Sequence, residues 1–277
     1  MGAEEGRPLT GYAYLDTVAT PPGGVIAMAH RGGALHPELR GLENTLHAFR
    51  HAAQLGYRYL ETDVHVTRDG RLVAFHDAVL ERMTGRPEVL ADLRADELAE
   101  LRIAGEHAVP SMAELLEELP ECQFNVDLKA PGAVRALADL VDRTQAHDRI
   151  CVGSFSSRSL QQFRRLTGGR IATAATPGEV ALFLASSWAG ATRLVRPHRF
   201  AVLQVPRLVP RVGARLPLVT RSLVRRAHAA GVHLHVWTVD EPAEMEQLLD
   251  LGVDGLITDR TDLLKQVLID RGLWREP

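Results

Sequence analysis

Short apolar, β-branched runs alternate with helical patterns along nearly the whole chain, and this alternation restricts the fold more than any other feature. The runs are Val25–Ala29, Arg58–Thr62, Phe124–Leu128, Ile150–Ser154, Arg170–Ala174, Ala201–Val205, His233–Thr238 and Gly255–Thr258. Helical patterns lie between them at Thr45–Leu55, Ala133–Asp142, Ser157–Leu166, Arg221–Ala230 and Ala243–Leu251. Strands separated by helices pair in parallel, because a parallel neighbour is reached only through a long crossover. Eight strands are the number a closed (β/α)8 TIM barrel needs, and 277 residues suit that fold of about 250 residues. The expectation is one barrel domain over residues 25–277, preceded by a flexible or loosely docked arm over residues 1–24 that is rich in Gly, Pro and charge.

One further run, Leu72–Phe75, follows the second strand too closely for a parallel crossover. With Asp69-Gly70 as a turn signal, Val64–Thr67 and Leu72–Phe75 are expected to form an antiparallel hairpin that carries His76 back to the end of the second strand. Residues 78–110 are polar and read as an insertion above the barrel mouth that shapes the substrate entrance; Asp92–Leu98 within it reads as a short capped helix. Ser111-Met-Ala-Glu114 reads as a capping box opening the next barrel helix.

Composition removes several function classes. Apolar residues make up 45% of the chain and charged ones 24%, so a buried core forms and global disorder is excluded. A net charge of −3 offers no basic field for nucleic acid. The arginine clusters Arg193 to Arg199 and Arg221 to Arg226 are broken by apolar residues and read as solvated faces. Cys122 and Cys151 read as reduced core thiols. Residues 1–24 lack the apolar core of a signal peptide, and Gly6 breaks the myristoylation pattern. The longest apolar run, Val180–Ala191, is about half a membrane span. These features predict a cytoplasmic protein without stable membrane insertion.

In such a barrel the functional side chains gather at the C-terminal ends of the strands. Those ends read His30-Arg31-Gly32-Gly33, Glu61-Thr62-Asp63, Asp127-Leu128-Lys129, Ser154-Phe155, Gln204 and His235-Val236-Trp237-Thr238, with His76-Asp77 added by the hairpin and Glu43-Asn44-Thr45 by the first loop. Glu61 and Asp63 stand two apart on a strand and so face the same way. With Asp127 on the next strand they would repel one another, and a hard divalent cation, Mg2+ or Ca2+, relieves this. Arg31 and Lys129 beside them suit an anionic substrate, phosphate above all. Gly32 and Gly33 are expected to let backbone and substrate approach closely. His30 and His76 have the basicity for acid–base work near neutrality. Trp237 is expected to stack on substrate, and His233 and His235 to be structural.

The chain resembles the glycerophosphodiester phosphodiesterase family from about Ile26 to Leu264. The resemblance is carried by Ala29-His-Arg-Gly-Gly33, Glu43-Asn-Thr45, Glu61-Thr-Asp-Val64, Thr67-Arg-Asp-Gly70, His76-Asp77 and Trp237-Thr238, with the inserted Leu80–Gly85 leading to Val109-Pro-Ser111. It implies that His30 and His76 are the acid–base pair, that Glu61, Asp63 and the carboxylate at 127 hold one divalent metal, and that Arg31 and Lys129 contact phosphate. The family commonly has Glu where this chain has Asp127, an arm shorter by roughly 1.5 Å. The expected activity is hydrolysis of a small glycerophosphodiester to glycerol 3-phosphate and an alcohol, through a cyclic phosphate or by direct attack of water. A lysophospholipase D-like activity on the same barrel, or non-catalytic binding of a phosphate ester, are the alternative classes.

Overall fold

The computed structural model describes residues 7–17, 24–188, 200–211 and 214–275. The first half runs through α1 (Ala13–Asp16), β1 (Ile26–His30), α2 (Leu46–Gln54), β2 (Tyr59–Val66), β3 (Leu72–Ala74), α3 (Glu81–Thr84), α4 (Ala95–Ala99), α5 (Met112–Glu118), β4 (Gln123–Leu128) and α6 (Ala133–Thr144). The second half adds β5 (Ile150–Gly153), α7 (Ser157–Leu166), β6 (Ala172–Thr173), α8 (Pro177–Trp188), β7 (Val202–Pro206), β8 (Leu208–Arg211) and β9 (Ala214–Pro217). It ends with α9 (Arg221–Ala229), β10 (His233–Trp237), α10 (Pro242–Leu251), β11 (Gly255–Thr258) and α11 (Thr261–Asp270).

Eight parallel strands follow one another in the order β6-β5-β4-β2-β1-β11-β10-β7. The ends of this row meet through a parallel bridge between Ala174 and Val202. Two hydrogen bonds hold the seam, Ala175 N to Val202 O and Ala201 N to Thr173 O, both 2.9 Å. The ring is the expected (β/α)8 barrel. The sixth strand is shorter than its run in the sequence, since Gly168 and Gly169, both at positive φ, delay entry into the sheet until Ala172. The hairpin pairs as expected, with Val64 opposite Ala74 and Val66 opposite Leu72. A second antiparallel hairpin, β8 with β9, has no counterpart in the strand pattern: Pro210 and Pro217 make that stretch read as loop.

Strand alternation sorts the core into two shells. Ile26 and Met28, Tyr59, Cys151, Ala172, Val202 and Ile257 point into the barrel. Leu60, Val64, Phe124, Val126, Val152, Leu203, Leu234 and Leu256 point outward against the helices, among them Phe49, Leu137, Phe163 and Leu248. The insertion keeps a small core of its own, with Leu80, Leu90, Leu98 and Ile103 packed on Val73 and Phe75 of the β3 hairpin. Of the expected capping box, the N-cap half is present, with Ser111 Oγ accepting from Glu114 N at 3.2 Å.

Of the two readings of the N-terminal arm, the docked one holds over its described part, and more tightly than expected. Over residues 7–17 it is docked: Tyr14 and Leu15 are fully buried among the inward-facing residues. Tyr59 Oη donates to Tyr14 O at 2.7 Å, His233 Nε2 lies 2.9 Å from Pro8 O, and Arg7 pairs with Asp254 at 3.2 Å. These partners sit at the N-terminal ends of their strands, so the segment plugs the base of the barrel. A barrel interior lined by side chains leaves its lower end apolar, and burying Tyr14 and Leu15 there keeps water out. The arginine cluster Arg193 to Arg199 and the last residues of the Val180–Ala191 run lie outside the described residues. Among those described, no helix is long and apolar enough to cross a membrane.

Candidate active site

Strand register builds the site. His30 on β1 pairs with Glu61 on β2, and Glu61 with Asn125 on β4; one layer higher, Asp63 pairs with Asp127. All eight residues singled out from the sequence, His30, Arg31, Glu61, Asp63, His76, Asp127, Lys129 and Trp237, line one cavity of about 470 Å³ at the C-terminal mouth. Arg31 and Asn44 adopt left-handed backbone conformations, with φ of 51° and 59°. For Arg31 this costs about 1–2 kcal/mol. The conformation is held by Arg31 N donating to Glu61 O at 3.0 Å and by Asn44 N donating to Arg31 O at 2.9 Å.

Each histidine is oriented by a carboxylate. His30 Nδ1 lies 2.7 Å from Asp259 Oδ1, and His76 Nδ1 lies 2.6 Å from Asp77 Oδ1. His30 Nε2 stands 3.7 Å from Glu61. Burial alone would lower the pKa of His30, but Glu61 and Asp259 outweigh it and push it up to about 9. Asp63 is served by Arg31 at 3.0 Å, Lys129 at 2.9 Å and Asn44 Nδ2 at 3.2 Å. Burial works to raise Asp63, yet Lys129 and Arg31 hold it below the usual carboxylate range. Glu61 is driven the other way, raised by burial and then by the charge of Asp63.

Three carboxylates, Glu61, Asp63 and Asp127, thus face two permanent cations, and Glu61 carries the excess. Their donor atoms are all oxygen, which suits a hard divalent cation, and a further positive charge would relieve the strain on Glu61. Lys129 Nζ bridges Asp63 and Asp127, the latter at 2.6 Å. Among the described residues, the one trio of ligand-bearing side chains whose donor atoms fall within 4.8 Å of each other lies elsewhere, at His36, Glu38 and His51.

Residues 30–263 match the family model described as the glycerophosphoryl diester phosphodiesterase family. The chain belongs to that family. It is 40% identical over 256 residues to the protein named probable glycerophosphodiester phosphodiesterase 2 of Mycobacterium tuberculosis, covering 91% of this chain and 94% of that one. It is 27% identical to a lysophospholipase D of Rattus norvegicus, over 87% of this chain and 85% of that one. Its fold is shared by a phosphodiesterase of Oleispira antarctica solved in complex with the product sn-glycerol-3-phosphate, at a TM-score of 0.70 and 21% identity, covering 88% and 96% of the two chains.

Four residues of this phosphodiesterase-family mouth carry no signal in the strand-end reading. Asp259 stands just past β11 and orients His30. Asp240 accepts from Asp259 N at 2.8 Å and from Thr258 Oγ1 at 3.0 Å, fixing the Asp259 loop. Gln204 Nε2 donates to Asn125 Oδ1 at 2.8 Å across the barrel; Gln204 is a strand end, but Asn125 is not. Arg82 comes from α3 in the insertion. Its guanidinium donates to Asp77 at 2.6 Å and to both oxygens of Glu43 at 2.7 and 2.8 Å, and Glu43 in turn accepts from Arg31 at 3.1 Å. The insertion therefore does more than frame the entrance, because it supplies the link between the His76 and Arg31 supports.

The two glycines after Arg31 stand where any side chain would collide with the surrounding helices. A Cβ on Gly32 would stand 2.8 Å from Ala48 Cβ on α2, and one on Gly33 2.8 Å from Thr261 Oγ1 on α11. Both have positive φ. Trp237 sits edge-on to Phe155, with ring centroids 6.0 Å apart at the rim. His235 is wholly buried beneath the mouth, and burial, with His233 next, pushes its pKa down to about 3.

Proposed function

We propose that the chain hydrolyses glycerophosphodiesters to glycerol 3-phosphate and an alcohol, with His30 and His76 as the acid–base pair. In this reading Glu61, Asp63 and Asp127 hold one divalent cation, Mg2+ or Ca2+. The observation that carries it is a pair of histidines, each held at Nδ1 by a carboxylate, lining one cavity with Arg31 and Lys129. When bound, the cation supplies Lewis-acid neutralisation of phosphate charge. Arg31 and Lys129 engage the phosphoryl oxygens and stabilise the charge that grows on them. His76 gives its Nδ1 proton to the bond with Asp77, which leaves the Nε2 lone pair to take the proton of the attacking oxygen. His30, flanked by Asp259 and Glu61, keeps its proton near neutrality and hands it to the departing alcohol.

The test is turnover of glycerophosphocholine with glycerol 3-phosphate as the measured product. His30→Ala and His76→Ala should each lower kcat by roughly 10²–10⁴-fold. A nitrophenolate ester needs no protonation on departure, so it should rescue His30→Ala and not His76→Ala. Equal rescue of both, or of neither, overturns the division of labour.

A second reading has its own observation. Part of the cavity wall is apolar, formed by Val180, Pro206, Val209, Leu218 and Trp237, and Phe155 at its rim is 66% exposed. That wall suits an acyl chain, in line with the lysophospholipase D relative. Lysophosphatidylcholine turned over faster than glycerophosphocholine, with Phe155→Ala raising KM for the lipid alone, would establish it.

A further inference from the structure

We propose that His36, Glu38 and His51 form a second cation site, separate from the catalytic mouth, that takes a borderline first-row divalent ion such as Zn2+. One donor atom from each of these side chains falls within 4.8 Å of the other two. The imidazoles of His36 and His51 have centroids 4.5 Å apart, and His51 Nε2 lies 3.2 Å from Glu38 Oε2. None of the three lines the mouth.

The donor set decides the class of ion. Two nitrogens and one carboxylate oxygen match the ligands zinc takes with an open position left over, whereas Mg2+ and Ca2+ prefer oxygen alone. The carboxylates of the mouth, Glu61, Asp63 and Asp127, offer oxygen alone and sort the other way. A purely structural role accounts for His36, whose Nδ1 accepts from Glu38 N at 3.2 Å, but less well for His51 and the Glu38 carboxylate. His51 Nδ1 is buried without a hydrogen-bond partner, so the ring is held by hydrogen bonding only at Nε2, through Glu38. Glu38 has a side chain 75% exposed, so its carboxylate has little reason to stay beside His51 rather than in water. A divalent ion gives both a partner worth more than solvent. Burial, and next the neighbouring His51, hold the His36 pKa below the ordinary imidazole value, which favours its neutral form.

The position gives the site a consequence. His36 and Glu38 lie on the loop between β1 and α2, His51 lies on α2, and the same loop carries Glu43 and Asn44 to the mouth. An ion held by all three would clip the loop to the helix and, binding only the folded chain, raise its melting temperature.

The test uses the full chain saturated with Mg2+, so that oxygen sites are filled, and titrated with Zn2+ by calorimetry and with Co2+ by visible absorption. The parent should bind one more equivalent of Zn2+ than His51→Ala and Glu38→Ala. Either loss should cost more than the roughly 10–100-fold that even an outer-sphere partner is worth. The Zn2+-induced rise in melting temperature and the Co2+ absorption should vanish with that equivalent. Because Glu38 is exposed, Glu38→Ala keeps the fold, and its unchanged Mg2+-supported turnover verifies this. Equal Zn2+ stoichiometry and affinity in parent and variants, or no extra equivalent in the parent, overturns the proposal.

Discussion

His30 Nδ1 rests 2.7 Å from Asp259 Oδ1, although 229 residues separate them in the chain. Barrel closure brings them together. β1 pairs with β11 so that Ala29 faces Thr258, and the next residue on each strand is His30 or Asp259. The turn leaving the last strand therefore supplies a carboxylate that, after Glu61, helps raise the pKa of a histidine on the first.

Replacing Asp259 with Asn keeps the shape and removes the charge. Against burial, Glu61 and then Asp259 raise the pKa of His30 in the fold, so its protonated form is present below the folded value and lost as pH rises through it. Without Asp259 that value falls, and the alkaline limb of the kcat profile should move to lower pH, with kcat at neutral pH reduced by roughly 10²-fold. An alkaline limb that stays in place would show that His30 is not the proton donor.

Exhaustive chelation should abolish turnover and Mg2+ or Ca2+ should restore it. In Asp127→Ala, calorimetry should show markedly weaker Mg2+ binding, while Asp127→Glu, with the longer arm, should bind at least as well as the parent. Unchanged affinity in the alanine variant would remove position 127 from the ligand set.

Arg82 joins Asp77, the partner of His76, to Glu43, the partner of Arg31, and on the proposed mechanism it would position both. Arg82→Ala should lower kcat by roughly tenfold or more, as loss of an outer support does, with KM changed less. Arg82→Lys should recover little, because one ammonium cannot reproduce a fork that reaches two carboxylates. A change in KM alone would reduce the insertion to an entrance.

Asp254 ties the N-terminal segment to the barrel base, paired with Arg7 at 3.2 Å and His228 at 2.9 Å and accepting from Leu234 N at 2.7 Å. Burial alone would raise its pKa, but the bond from His228 and the charges of His233, His228 and Arg7 outweigh it and hold it low. A depressed carboxylate contributes stability above the ordinary value of about 4 and loses it as pH falls through the folded value. Asp254→Asn should therefore cost roughly 3–5 kcal/mol at pH 7, and calorimetric melting should show the deficit shrinking towards pH 3. A deficit independent of pH would assign the loss to packing.

Much of this molecule is written in short-range pattern. Parallel strands follow from runs spaced by helices, and the facing of Glu61 and Asp63 follows from a two-residue interval on one strand. The return of His76 follows from Asp69-Gly70 at a hairpin tip. Each of these rests on backbone geometry that spans a few residues, so neighbouring letters suffice to reveal it. The pairing of His30 with Asp259, the bridge from Arg82 to Asp77 and Glu43, and the plug of Tyr14 and Leu15 beneath Tyr59 have no such local trace. They depend on which strand closes the ring, on where an insertion folds back, and on which end of the barrel is left apolar. Those outcomes are set by register and burial summed over the whole chain, and a side chain's partner across such distances exists only once the ring has closed.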